Sequence, residues 1–107
     1  MKGAIYARVA RDDSGVSLER QIAEVQHYAD GHMIDVVKVV SDTEAGTRAV
    51  APSIDQMIAD IEQGEYTHIL MTELSRWSRR AEVGFENILR VKKAGGFLVF
   101  TRDGRLA

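Results

Sequence analysis

The feature that most constrains the fold of this chain is a regular alternation of short apolar runs with amphipathic helical patterns. Strand-like runs cover residues 4–9, 34–40, 67–72 and 97–101. Helical patterns, with apolar residues three or four positions apart, cover 17–30, about 53–63 and 81–94. This alternation is typical of βαβ units, whose crossovers are right-handed and whose strands are parallel. The sequence therefore predicts a flavodoxin-like, three-layer α/β domain. Its mostly parallel sheet has about four strands in the order 2-1-3-4, with helices on both faces.

The connections between these elements carry their own signals. Gly31 is expected to end the first helix, because glycine readily takes the left-handed conformation that closes helices. The polar stretch SDTEAGTRAVAP, residues 41–52, is predicted to be a loop. Asp103 and Gly104 are a turn signal after the last strand. Met33 is expected to fill the core, since methionine adapts to irregular apolar gaps.

Composition narrows the class of protein. A chain of 107 residues with 45% hydrophobic and 28% charged residues has the size and balance of one small globular domain. The absence of cysteine excludes disulfides and thiolate metal sites, and no apolar stretch approaches a membrane span. The three histidines show no metal-ligand spacing, so neither a metal nor a cofactor is expected. These features fit a cytoplasmic protein.

Basic residues gather at one predicted edge of the sheet. The net charge of -2 argues against a protein that grips nucleic acid with its whole surface, but allows a local basic site. The carboxyl ends of strands one and three meet at a switch point, where α/β sheets bind ligands. The segments YARVARDD and ELSRWSRR lie there and contribute Arg8, Arg76 and Arg79. Three guanidinium groups in one crevice suit a phosphate.

Two plainer interpretations of these arginines stay open. Arg8 can close its strand by pairing with a carboxylate such as Asp42, and RWSRR can be the solvated start of a helix. The chain has no GxxxxGK[ST] loop, which disfavours nucleotide triphosphate hydrolysis. The agreement of fold and charge at one edge favours the phosphate site.

Three motifs carry a resemblance to a known family. The first is YARVA at residues 6–10, followed by SLERQ at 17–21; the second is LSRWSR at 74–79; the third is DTEAGT at 42–47. Their order and spacing resemble the N-terminal catalytic domain of the serine recombinases, the family of resolvases, invertases and large serine integrases. The resemblance covers essentially the whole chain.

The resemblance implies a reaction and partners. In that family a serine hydroxyl attacks a DNA phosphodiester, forms a transient phosphoserine bond and releases a 3′ hydroxyl. The strands are then exchanged within a tetramer and rejoined, without metal or nucleotide, because the covalent bond conserves the energy for rejoining. The implied partners are DNA and further copies of the chain, as a homodimer or tetramer in the full-length form. The implied source is a prokaryotic or phage-encoded cytoplasmic protein.

The resemblance also assigns roles to individual residues. The phosphate ligands are Arg8, Arg76 and Arg79. The supporting residues are Gln21, Asp42, which orients the site, and Ser75, at a position where the family has serine or aspartate.

One position departs from the family in a way that matters for activity. Ala10 occupies the place of the nucleophilic serine, and a methyl group cannot attack phosphorus. Neither Ser14 nor Ser17 is expected to substitute, because nucleophilic attack requires accurate placement. Ala10 is either an introduced Ser→Ala change or the mark of a natural degenerate homologue; the displaced Arg48 favours the latter. The chain is therefore expected to be inactive in strand cleavage.

The family's domain continues into a long dimerisation helix and a DNA-binding domain. Residues 1–107 are accordingly expected to be a resolvase-type catalytic domain truncated before those parts. Two alternatives remain beside a recombinase catalytic domain. One is a non-catalytic DNA-binding or oligomerisation module derived from a recombinase. The other is a phosphoacceptor receiver domain, which is disfavoured because strand three ends in Thr72, Glu73 and Leu74, with no aspartate.

Overall fold

The computed structural model describes residues 1–10, 18–44, 53–73, 81–102 and 105–106. Its elements, in chain order, are β1 (Lys2–Ala10), α1 (Leu18–Gly31), β2 (Asp35–Glu44), α2 (Ile54–Glu62), β3 (His68–Met71), α3 (Ala81–Lys93), β4 (Phe97–Phe100) and β5 (Arg105–Leu106). The sheet has the order β2-β1-β3-β4-β5. The first four strands in this order are parallel, and the two-residue β5 adds antiparallel to β4. The predicted order 2-1-3-4 is confirmed, and β5 extends it at the edge.

Two apolar clusters place the helices on opposite faces of the sheet. Side chains of β1 alternate between the faces, as the two-residue period of a strand requires: Tyr6 points to one face and Ile5 to the other. The Tyr6 cluster contains apolar residues of α2 and α3, including Met57 and Val91. The Ile5 cluster contains residues of α1, including Val25. The three-layer arrangement is therefore as predicted. Of the helices in the described part of the chain, none is long and apolar enough to cross a membrane.

The structure corrects the predicted end of the second strand. Residues 41–44 were expected in a loop, but they continue β2 beside β1, with Arg8 opposite Asp42 and Ala10 opposite Glu44. Because β1 runs on to Ala10, its backbone offers hydrogen-bond partners that outweigh the low strand propensity of aspartate and serine. The rest of the predicted loop, residues 45–52, and the turn signal at 103–104 lie outside the described residues.

The end of α1 differs from the expectation in a related way. Gly31 is the last helical residue, but the left-handed residue is Met33, with φ of 58°. The Ile34 N–H donates to the Ala29 carbonyl over 3.0 Å and closes the helix around it. The Met33 side chain is 84% exposed, so the expectation that it fills the core is wrong.

A buried polar cluster joins α2 to β2 and to the start of β3. The Asp60 carboxylate accepts hydrogen bonds from Lys38 Nζ at 2.8 Å, Gln56 Nε2 at 3.0 Å and the Tyr66 hydroxyl at 2.9 Å. Burial by itself would raise the pKa of Asp60, but these donors together hold it below the ordinary value. The cluster therefore keeps a buried carboxylate ionised and anchors α2 to the sheet.

Candidate functional site

The candidate site lies where β1 extends beyond its pairing with β3. The pairing of β1 with β3 covers Gly3 to Ile5, whereas its pairing with β2 continues to Ala10. The carboxyl half of β1 therefore has a strand partner on its β2 side and extends beyond the paired part of β3 on the other. This is the switch point at which parallel α/β sheets form ligand crevices.

Beside Arg8, where β1 is no longer paired with β3, the Gln21 side chain of α1 bonds the strand backbone. The Arg8 N–H donates to Gln21 Oε1 over 3.2 Å, and Gln21 Nε2 donates to the Arg8 carbonyl over 3.2 Å. A glutamine amide offers one donor and one acceptor side by side, as a peptide group does. Both residues are buried, with 5% of Gln21 and 3% of Arg8 exposed. The predicted supporting residue and the predicted phosphate ligand are thus directly bonded.

Asp42 connects β1, β2 and the start of α2. Its Oδ2 accepts from the Tyr6 hydroxyl at 2.9 Å and from the Ser53 N–H at 3.2 Å, while Oδ1 accepts from the Ser53 hydroxyl at 2.8 Å. Ser53 is the N-cap of α2, and its hydroxyl bonds Asp42 rather than capping its own helix. A carboxylate near a helix N-terminus is favourable, because that end carries partial positive charge. Asp42 therefore orders the ends of three elements next to Arg8.

Tyr6 and Ser53 were not among the predicted site residues. For Tyr6 a signal existed in the sequence, since Tyr6 lies two positions before Arg8 and so shares its face of the strand. Ser53 was expected only at the start of a helix. Its contact with Asp42 depends on the packing of α2 against β2, which local sequence does not encode.

At the carboxyl edge of the sheet, three charged residues connect α1 with the ends of β3 and β4. Arg102 Nε and Nη2 bond the two carboxylate oxygens of Glu24 at 3.0 and 3.3 Å, and Nη1 bonds Glu73 Oε1 at 3.2 Å. The hydrogen bond and charge of Glu24 raise the pKa of Arg102. Arg102 follows β4, Glu73 follows β3 and Glu24 belongs to α1. The sequence gives no sign of this contact, because Arg102 and Glu24 are 78 positions apart.

The remaining predicted site residues are placed only in part. Ala10 is the last residue of β1 and lies opposite Glu44 of β2. Ser75, Arg76 and Arg79 lie outside the described residues, so their roles stay predictions. Within the described ranges, no group of three or more His, Asp or Glu side chains is arranged to hold a metal ion.

Comparisons with known proteins concern both sequence and fold. A family model described as Resolvase, N terminal domain matches residues 3–106. The chain is similar to the N-terminal catalytic domain of TP901-1 integrase, with a TM-score of 0.84 and 24% identity over 99% of this chain and 81% of that one. It is similar to a resolvase family site-specific recombinase from Streptococcus pneumoniae, with a TM-score of 0.84 and 24% identity over 100% and 76% of the two chains.

A third similar structure is the C-terminal catalytic domain of ISC1926 TnpA, an IS607-like serine recombinase. It matches with a TM-score of 0.82 and 24% identity over 94% of this chain and 67% of that one. No curated protein sequence matches the chain. The solved structures thus share the fold of this chain at low sequence identity.

Proposed function

The chain belongs to the family of resolvase N-terminal domains, and on that premise we propose that it is the catalytic domain of a site-specific DNA recombinase that retains phosphate-binding arginines and lacks the nucleophile. The observation that carries this proposal is the placement of Arg8. It is buried at the carboxyl end of β1, held by Gln21, and stands two residues before Ala10. A fixed positive charge in a shielded crevice suits a DNA phosphate.

In the proposed site, Arg8 acts together with Arg76 and Arg79 on one phosphate. A guanidinium group stays charged at any physiological pH, and its planar fork matches two phosphate oxygens. Because Arg8 is shielded from water, its attraction for a phosphate is screened less than that of a surface arginine. Gln21 and Asp42 support the site by fixing the backbone of Arg8 and the ends of β1 and β2.

Ala10 limits what this site does. Its methyl group has no lone pair and no removable proton, so it forms no covalent bond to phosphorus. We propose that the chain binds DNA phosphate but does not cleave the strand. Ala10 also favours a second candidate function, in which the chain is a non-catalytic module that binds DNA or assembles with further copies as a homodimer or tetramer.

The change Ala10→Ser separates the two functions. It is tested in the protein's full reading frame, with DNA carrying its recombination site. For a catalytic domain we expect a covalent adduct that survives denaturation. The serine hydroxyl loses its proton as its oxygen bonds phosphorus, the bond from phosphorus to the 3′ oxygen breaks, and the 3′ oxygen gains a proton in exchange and leaves as a 3′ hydroxyl. The measurement is the adduct band on a denaturing gel.

Two controls keep this experiment specific. The Ala10 parent should give no adduct with the same DNA. Arg8→Lys in the Ala10→Ser background keeps the charge and loses the fork, and we expect about 10²-fold less adduct, as for loss of one transition-state donor. An absence of adduct from Ala10→Ser on DNA that the protein demonstrably binds would reject the catalytic domain in favour of the module.

A further inference from the structure

We propose that Arg102 is a positioning residue for the phosphate crevice, because its side chain ties α1, the end of β3 and the end of β4 into one unit. The inference rests on the proposed function, since it concerns how the same crevice is held in shape. Arg102 lies outside the three motifs that carry the family resemblance.

The bonds of Arg102 reach two neighbouring elements at once. Its guanidinium grips both oxygens of Glu24 on α1 and one oxygen of Glu73 after β3. Its backbone N–H donates to the Thr72 carbonyl over 3.1 Å, just beyond the last β3–β4 pair, Met71 and Phe100. The side chain and the backbone of Arg102 therefore both bond residues that directly follow β3, namely Glu73 and Thr72.

Glu24 connects this group to the buried arginine of β1. Glu24 and Gln21 are three positions apart on α1, so they lie on neighbouring parts of one helix face. Gln21 in turn holds the backbone of Arg8. Arg102 and Arg8 thus both bond α1, Arg102 at Glu24 and Arg8 at Gln21, one helical turn apart.

Glu73 connects the same group to the second basic segment. It is followed in the sequence by LSRWSRR, which contains the other two predicted phosphate ligands. Arg102 accordingly bonds the residue that precedes this segment, as well as the helix that holds Arg8. One residue therefore connects α1 with the end of β3.

An isolated exposed ion pair contributes little, but this group has two features that strengthen it. The contact with Glu24 is bidentate, and a second carboxylate shares the same guanidinium. Arg90 provides a matched comparison, since its side chain is also 51% exposed and Nη1 bonds Asp55 at 2.9 Å. Arg90–Asp55 joins α3 to α2 and bonds none of the residues that connect Arg102 to Arg8.

The decisive variant is Glu73→Gln, because charge and positioning predict opposite results. Removing a negative charge strengthens non-specific DNA binding if charge alone matters. If Arg102 and Glu73 position the crevice, the same change weakens binding by about twofold to fivefold, the range expected from losing an ion pair of this kind. Arg102→Gln should weaken binding as well. Asp55→Asn and Arg90→Gln are the controls, with the same charge changes at the other pair.

Two readouts are measured on the 107-residue chain, after circular dichroism has shown that each variant is folded. The first is the affinity for a short fluorescein-labelled DNA duplex at low ionic strength, by fluorescence anisotropy. The second is acrylamide quenching of Trp77, the sole tryptophan of the chain, four positions after Glu73. We expect Glu73→Gln and Arg102→Gln to change the quenching, and both control variants to leave it as in the parent.

The outcomes separate this inference from the proposed function. The positioning role is overturned if acrylamide quenches Trp77 equally in Glu73→Gln, Arg102→Gln and their controls. It is also overturned if Glu73→Gln binds DNA more tightly than the parent. The proposed function is rejected instead by the absence of adduct from Ala10→Ser in the full reading frame. If that happens while Trp77 responds to Glu73→Gln and Arg102→Gln and to neither control, the positioning role of Arg102 stands.

Discussion

The contact between Gln21 and Arg8 makes the sharpest stability prediction. The change Gln21→Leu keeps the approximate size of the side chain and removes both hydrogen bonds to the Arg8 backbone. Because Gln21 is only 5% exposed, water has little access to the N–H and C=O groups that lose these bonds. Each buried polar group left unsatisfied costs about 1–3 kcal/mol, so we expect a loss of about 2–4 kcal/mol in the free energy of unfolding, after some relaxation of the strand end.

A second substitution at the same position tests the direction of each hydrogen bond. Gln21→Glu retains an acceptor for the Arg8 N–H but turns an oxygen toward the Arg8 carbonyl, so one bond is lost and one repulsion is added. We expect a cost of about 1–3 kcal/mol at neutral pH. Protonation restores a donor, which raises the pKa of the new carboxyl in the folded state. The deficit relative to the parent should therefore shrink as pH falls through that pKa.

The assay is urea unfolding followed by circular dichroism, together with hydrogen exchange of the Arg8 amide by NMR. Gln26→Leu is the matched control, because Gln26 lies on the same helix and bonds Asp30 at an exposed position. That control should stay within about 0.5 kcal/mol of the parent. The reasoning is refuted if Gln21→Leu also stays within that range and the Arg8 amide exchanges no faster than before.

Two further predictions concern stability away from the crevice. Met33→Gly should raise the free energy of unfolding by about 0.5–1 kcal/mol, measured by the urea midpoint, because Met33 is exposed with a left-handed φ that glycine adopts without strain; a lowered midpoint would contradict this. Asp60→Asn should destabilise the chain at neutral pH, since the lowered pKa of Asp60 marks an ionised form that the fold stabilises. That contribution is present above the unfolded pKa and is lost as pH falls through the folded pKa. The gap between parent and Asp60→Asn in urea unfolding should therefore close in acid, and a gap independent of pH would count against the role given to Lys38 and Tyr66.

Local pattern was a good guide to the elements and a poor guide to where some of them end. The apolar runs predicted the four parallel strands and their order, because periodicity and crossover handedness are local or nearly universal rules. The same rules placed Asp42 in a loop, since its strand depends on backbone pairing with the far end of β1. Met33 was misplaced for a similar reason: the helix end, not its side chain, decides its position.

The candidate site shows the same difference between what local sequence predicts and what tertiary packing decides. Sequence by itself determined the family, the βαβ order and the edge at which Arg8 belongs, because these depend on residue identity and spacing along one segment. Only the tertiary structure decided that Gln21 bonds the Arg8 backbone, that Asp42 bonds Tyr6 and Ser53, and that Arg102 reaches Glu24. Those contacts join residues 11 to 78 positions apart. Their partners are set by how helices pack on the sheet, and no local propensity encodes that packing.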